Sequence, residues 1–386
     1  MKIASPILPD SSFESQLDGF AESLAVDPDA SPQSLLKRFP QCREQINQLV
    51  HASKSVDSSA RLWDIPLPRQ TDSHRMPDRI GRYRIVDRLG SGGMGNVYPA
   101  RFSEGPSKDH ASSVPKDCAL KVIRPDLPQS KFVARFRKEQ QFLRQARHRC
   151  LVKFIDAGST KDNVPFLAME WVQGTTIDSH CQDHAVSLGA MLDLLIDVCD
   201  GVAALHRQGI LHRDLKPANI LVHRRGKNFR PKIIDFGLAK RSDGQETLAA
   251  SSSWSTHLLG TPHYMSPEQA ALRCDRIGVR SDVFSLGILL YELLTGTTPL
   301  ADQLSSGLSL HERLAMIRQQ PPAALANDLH HSNLTSLYPI DSLALLTLDQ
   351  ICRKATQTDP NERYAGANAF ANALRSFRSR IPVTPT

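Results

Sequence analysis

Between Ile210 and Val222 the chain reads Ile-Leu-His-Arg-Asp-Leu-Lys-Pro-Ala-Asn-Ile-Leu-Val, a polar loop between an amphipathic stretch and an apolar one. An acid, two basic side chains, a proline and an amide in so short a run make a layout for chemistry rather than packing. Phosphoryl transfer asks three things of a protein: a base for the proton of an acceptor hydroxyl, a cation for migrating negative charge, and an oxygen for a metal ion. Asp214, Lys216 and Asn219 supply them within one loop.

Other stretches carry chemistry of the same kind. The alternating residues Tyr83, Ile85 and Leu89 run into Gly90-Ser91-Gly92-Gly93-Met94-Gly95-Asn96-Val97. A lone G-x-G-x-x-G is weak evidence, and in a dinucleotide fold it must open a helix. Here it leads into a strand at Val97-Tyr98, so a hairpin folded over phosphates fits better, with glycines letting the backbone approach a triphosphate. Pro99 lacks a ladder donor, which predicts a bulge or an early exit of that strand. The next strand, Cys118 to Ile123, sets Ala119 and Lys121 on one face and Leu120 and Val122 on the other. A lysine inside an apolar strand is costly unless paired, the alternative being an edge lysine that reaches water. The acid between Leu127 and Ile155 is Glu139, on a helical face shared with Phe132, Phe136 and Leu143. An inward carboxylate opposite an inward ammonium can position phosphates. Further on, Lys232-Ile233-Ile234 is a short strand running into Asp235. Asp235 and Asn219 then offer two oxygen acceptors for magnesium, the other positions being left to phosphate oxygens and water.

The elements that must hold these groups are legible from periodicity. Leu188, Met191, Leu192, Leu195, Val198, Cys199, Val202 and Leu205 recur at spacings of three and four, a long helix delivering the loop of Asp214. Leu151 to Asp156 and Val164 to Met169 read as strands, and Leu286 to Leu294 as a buried core helix. Ser11 to Ser55 is helical in pattern, too small for a deep core of its own, and therefore docks on the next domain or awaits a partner. Residues 56 to 79, with Pro66, Pro68 and Pro77, read as a linker. The organisation expected is a helical extension over 1–55, a linker over 56–79, one large domain over 80–379 and a short tail over 380–386.

Composition limits the classes of function. The 386 residues carry a net charge of +7, with residues 1 to 78 acidic at −3 and the remainder basic. The basic residues interleave with acids and form no aromatic-basic stripe, so no nucleic-acid partner is expected. One cluster stands out, Lys131, Arg135, Arg137, Lys138, Arg144 and Arg147, read either as a solvated face or as a receiver of phosphate. The 7 cysteines are scattered and never spaced C-x-x-C, which fits a reducing cytoplasm. No stretch of eighteen apolar residues spans a membrane, and the start does not read as a signal peptide.

His212-Arg213-Asp214-Leu215 followed by Asn219 matches H-R-D-L-x-x-x-N. Together with the glycine run, Lys121, Asp235-Phe236-Gly237, Ser266-Pro267-Glu268, Ser281 to Gly287 and Arg363, in that order, the chain resembles the eukaryotic-like (Hanks-type) serine/threonine protein kinases, bacterial members above all, over roughly residues 82 to 378. The resemblance implies an α+β bilobal fold, an N-terminal antiparallel sheet with one helix and a larger helical lobe, with ATP and magnesium in the cleft between them. It implies nucleotide contacts at Leu89, Gly90, Ser91, Gly92, Gly93, Met94, Gly95, Asn96, Val97, Ala119 and Lys121, and at Leu221. Backbone groups of Glu170 and Val172 would bond the adenine, with Met169 as gatekeeper. Catalysis would fall to Asp214, Lys216, Lys121 and Glu139, and the metal to Asn219 and Asp235. Asp282 would hold the loop backbone, and Arg363 would pair with Glu268. Lys216 and Thr261 favour serine and threonine hydroxyls of protein substrates as acceptors. Leu238 to Thr261 would be the activation segment, autophosphorylated at Thr247, Ser251, Ser252, Ser253, Ser255 or Thr256 to neutralise Arg213, with a dimer as the assembly for that reaction; the alternative is a flexible surface loop. Two rivals stand beside the enzyme, a pseudokinase scaffold and an adaptor acting through residues 1 to 78.

Overall fold

The computed structural model describes residues 78–91, 95–103, 117–123, 136, 140–160, 164–226, 228–235, 240–241, 262–271, 273, 276–305, 308, 310–319, 325 and 342–381. The expected helical extension, most of the linker, Gly92 to Met94, Glu139 and residues 242–261 lie outside them.

The first half of the described chain builds a seven-stranded antiparallel sheet ordered β1-β2-β4-β5-β7-β6, with β3 on β4. Its strands are β1 (Arg79–Ile80), β2 (Tyr83–Ile85), β3 (Gly90–Ser91), β4 (Gly95–Phe102), β5 (Asp117–Ile123), β6 (Phe154–Ser159) and β7 (Pro165–Glu170). Period two divides β5 between two cores. Cys118 and Leu120 join Ile80, Tyr83, Tyr98 and Phe166 on one face, whereas Ala119 and Ile123 join the large cluster that continues into the helical lobe. Phe136 and Leu143 are buried in that large cluster, as expected of the helical face before β6.

Pro99 does not end its strand, contrary to expectation: β4 runs on to Phe102 and Pro99 stays opposite Ala119 of β5. The irregularity is on the other side. Val86 donates to the Pro99 carbonyl at 2.9 Å and Leu89 to the Val97 carbonyl at 2.9 Å, while residues 86–89 leave the ladder between β2 and β3. The missing donor therefore faces a gap in the neighbouring strand, where it costs no bond.

The strand expected at Leu151 to Asp156 starts later, at Phe154, with a register shift between Phe154 and Asp156. Leu151 instead forms a parallel bridge with Ile233: Ile233 donates to the Cys150 carbonyl at 2.8 Å, and Val152 to the Ile233 carbonyl at 2.9 Å. These bonds tie the approach to the sheet onto the helical lobe.

That lobe opens with β8 (Gly174–Thr176) and the short helix α1 (Ile177–Asp183). It is built on α2 (Leu188–His206), whose Ser187 side chain accepts from the Ala190 backbone, a cap on an otherwise unmet donor. Beyond α2 come β9 (Ile210–Leu211) and the hairpin β10 (Ile220–Arg225) and β11 (Asn228–Ile233), the latter longer than the expected strand. α3 (Pro267–Ala270) precedes α4 (Val279–Thr295), a helix buried over most of its length, as its apolar run predicts. α5 (Ala301–Ser305), α6 (Leu310–Gln319), α7 (Ser342–Ala355) and α8 (Ala367–Arg378) follow among the described residues of the lobe. α8 packs along α2, with Phe370, Leu374 and Phe377 buried. Burial pushes the Cys118 thiol up to about 12 and that of Cys150 to about 11, so both remain thiols packed in the core.

Candidate active site

The loop of Asp214 is held from below by one carboxylate. Asp282, in the first turn of α4 and 1% exposed, accepts the backbone N–H of His212 at 2.9 Å and that of Arg213 at 2.8 Å, and contacts His206 Nε2 at 2.8 Å. These bonds hold Arg213 at φ 67°, a left-handed conformation that few non-glycine residues adopt. The Arg213 carbonyl is fixed in turn by Gln269 Nε2 at 3.1 Å. Burial would raise the Asp282 carboxyl, but the hydrogen bond and charge of His206, helped by the Arg213 N–H, more than offset this and keep it below the ordinary carboxylate range. Burial also lowers His212, leaving a neutral imidazole whose Nδ1 accepts the Asp214 N–H at 3.3 Å.

Above this platform the three groups singled out by the sequence meet. Lys216 Nζ lies 3.1 Å from Asp214 Oδ1 and 3.0 Å from Oδ2. Asn219, on a turn of 3-10 helix begun by Pro217, donates its amide hydrogens to the Asp214 carbonyl at 2.7 Å and to Asp214 Oδ2 at 3.0 Å. Both Nδ2 protons are thus committed and Oδ1 is left as an acceptor. Ile234 donates to the Asn219 carbonyl at 3.0 Å, which brings the chain leading to Asp235 alongside. Asp235 Oδ1 in turn accepts Lys121 Nζ at 2.9 Å. A carboxylate and a free amide oxygen are the hard donors a magnesium ion prefers, so this pair fits the ion.

The other expected positions that are described lie on or beside strands of the sheet and on β10. Lys121 is 7% exposed, and it and Ala119 project from one face of β5 opposite Val97 and Pro99. Gly95 approaches β5 so closely that a Cβ there would stand 2.3 Å from the Val122 carbonyl oxygen, which only glycine avoids. Leu89, Gly90 and Ser91 lead into and form β3, with Asn96 opposite Ser91. Glu170 closes β7, Val172 follows it half-buried, and Leu221 on β10 lies between Lys232 and Thr176. The carboxylate partner described for Lys121 is Asp235; Glu139 lies outside the described residues.

Some contacts were not anticipated from sequence. The Glu170 side chain takes Lys232 Nζ at 2.8 Å and the Lys153 N–H at 3.2 Å, and Asp197 bridges Arg149 and Arg230 at 2.6 and 2.9 Å. Ser266, standing where the resemblance has alanine, donates its hydroxyl to Gln269 Oε1 at 2.9 Å, a bond alanine cannot make. The pair expected of Glu268 and Arg363 is present, by contrast, as a bidentate contact at 2.8 Å for both bonds.

An antiparallel sheet lobe over a helical lobe, with acid, amide and lysine converging where they adjoin, defines the class as a protein kinase fold. A point variant of the kinase domain of Mycobacterium tuberculosis PknI has the same fold, with a TM-score of 0.54 and 22% identity over 79% of this chain and 99% of that one. The profile of the protein kinase domain family matches residues 83–374. Among curated relatives, the serine/threonine-protein kinase Pkn1 of Myxococcus xanthus is 35% identical over 77% of this chain, and the serine/threonine-protein kinase PknB of Mycolicibacterium smegmatis is 30% identical over 79%. The chain spans 38% and 44% of those two proteins. It belongs to the eukaryotic-like serine/threonine protein kinase family, on its bacterial side.

Proposed function

We propose that the chain is an active serine/threonine protein kinase that transfers the γ-phosphate of ATP to protein hydroxyls. The observation that carries this reading is the convergence of Lys216 and Asn219 on Asp214, each within 3.1 Å of it, beside the Lys121–Asp235 pair. Asp214 accepts the proton of the acceptor hydroxyl as its oxygen bonds to the γ-phosphorus and the bond to the β-phosphate oxygen breaks, releasing ADP. Lys216 offsets charge on the transferring group. Lys121 holds the α- and β-phosphates under the glycine hairpin, and Glu139 is assigned to orient it. The hinge at Glu170 and Val172 takes the adenine, with Leu89, Val97, Ala119 and Leu221 as its apolar contacts. Magnesium held by Asn219 and Asp235 would neutralise charge on the phosphate oxygens. Positioning supplies most of the acceleration.

The proposal includes autophosphorylation of the segment between Thr247 and Thr256, in a dimer, and a cytoplasmic setting. Five described cysteines are buried and free, in line with a reducing compartment. Among the described residues no helix is long and apolar enough to cross a membrane. The deciding experiment is phosphate transfer from radiolabelled Mg-ATP to casein by the full chain. Incorporation above background that vanishes in Lys121→Met supports the enzyme, whereas tight nucleotide binding without transfer supports a scaffold.

A further inference from the structure

Behind the hinge, away from the loop of Asp214, lies a cleft of about 710 Å³ between residues 143–154 and the β10–β11 hairpin, with Glu170 in its wall. Its charge is heavily one-sided. Three of its cations have acidic partners: Lys232 bonds Glu170, while Arg149 and Arg230 share Asp197. Arg147, Lys153 and Arg225, all exposed, have no carboxylate partner among the described residues, and Arg144 lies over the Phe154 ring, 5.4 Å from its centroid. Seven cations thus surround one cleft against two carboxylates. His148 and His223 also line it; burial first, then Arg149 and Lys232 respectively, push them below the usual imidazole value, so they add no charge at neutral pH.

Like charges gathered around a recess repel one another and concentrate anions there. Guanidinium forks match phosphate oxygens, and the volume is that of a small-ligand site rather than a track for a polymer. Phe154, the single Phe, Tyr or Trp in the lining, is covered by Arg144, so no ring face is open for the base stacking on which single-stranded nucleic acids rely. We propose that this cleft behind the hinge binds a phosphate-bearing ligand of two or more negative charges, through Arg147, Arg225 and Lys153 at its rim. The site touches the hinge through one residue: Glu170 receives the Lys153 N–H and the Lys232 ammonium and donates its own N–H to the Lys153 carbonyl at 2.9 Å.

Isothermal titration of the full chain at low salt tests this, with inorganic tripolyphosphate in one arm and a doubly phosphorylated serine peptide with its unphosphorylated control in the other. A saturating non-hydrolysable ATP analogue with magnesium keeps the probes away from Lys121; if the analogue does not bind, the Lys121→Met form is titrated instead, so failure of the kinase reading does not decide this one. Binding at one site per chain, weakened at least tenfold in Arg147→Glu/Arg225→Glu and independently in Lys153→Glu at unchanged melting temperature, supports the site. The tighter of the two arms then tells a free polyphosphate from a phosphorylated protein. Binding by neither probe, or binding indifferent to both sets of substitutions, overturns it. So does binding of a single-stranded oligonucleotide at the same residues that tripolyphosphate cannot displace.

Discussion

At Asp214 the geometry separates two roles that a single substitution can tell apart. Its carboxylate contacts Lys216 and Asn219, whereas Lys121 is bonded to the carboxylate of Asp235. Asp214→Asn keeps the shape and removes the base, so turnover should fall by about a hundredfold or more while the affinity for ATP stays within a few-fold. Steady-state kinetics beside nucleotide titration check this, and turnover near wild type would refute the assignment. Asp282 offers a pH test. Its folded carboxyl lies below the ordinary value of about 3.9, so its contribution to stability is present above about pH 4 and is lost as pH falls through the depressed value. The stability gap between wild type and Asp282→Asn should therefore shrink as pH falls below about 4, as denaturant titrations at stepped pH will read. These residues were legible because the loop concentrates its chemistry in a few consecutive positions. The Glu170–Lys232 and Arg149–Asp197–Arg230 contacts were not, since each joins surface-type residues far apart in sequence that share no periodicity.

At the scale of elements, apolar period was enough to place α2 to within a turn and to find the buried core of α4, though not the two turns that precede Leu286, because each buries a face several turns long. Short strands were less legible. The Leu151 segment is apolar enough to be a strand, yet its bonds go to Ile233 in the other lobe, a choice set by tertiary contact rather than propensity. The bulge or early exit expected at Pro99 was likewise absent, because β4 keeps its register through that residue. α3 and α4 are joined to the turn before α8 by Glu268 and Arg363, whose side chains are 3% and 0% exposed. Arg363 also donates to the Gln357, Thr358 and Arg280 carbonyls, and Ser281 Oγ donates to Glu268 at 2.6 Å. Removing one partner strands a charge among bonds arranged for it. Glu268→Ala or Arg363→Ala should each cost about 3 to 5 kcal/mol. The two together should cost less than the sum of the singles, read by chemical denaturation as a double-mutant cycle. A single variant melting within a degree of wild type would contradict the burial.

For the whole molecule, the proposed autophosphorylation falls on the segment between β12 (Lys240–Arg241) and Pro262, which lies outside the described residues. Both of its flanks are anchored. β12 pairs with β9, Lys240 opposite Leu211, one residue before His212, and Tyr264 donates to Glu292 Oε2 of α4 at 2.5 Å. The segment is rich in serine and poor in apolar residues, a composition that offers many acceptor hydroxyls. A phosphate dianion placed there would add charge-assisted bonds to cations near the ends of the segment. Lys240 and Arg213 sit at the start of the segment and beside Asp214, where such a dianion would couple loop order to the position of the base. Incubation with Mg-ATP followed by mass spectrometry should then find phosphate between Thr247 and Thr256 in the wild type and none in Asp214→Asn. Replacing Thr247, Ser251, Ser252, Ser253, Ser255 and Thr256 together by alanine should lower transfer to casein at least tenfold while leaving the melting temperature of the folded lobes unchanged. Full activity in that variant would show that the segment reaches its working conformation without the charge.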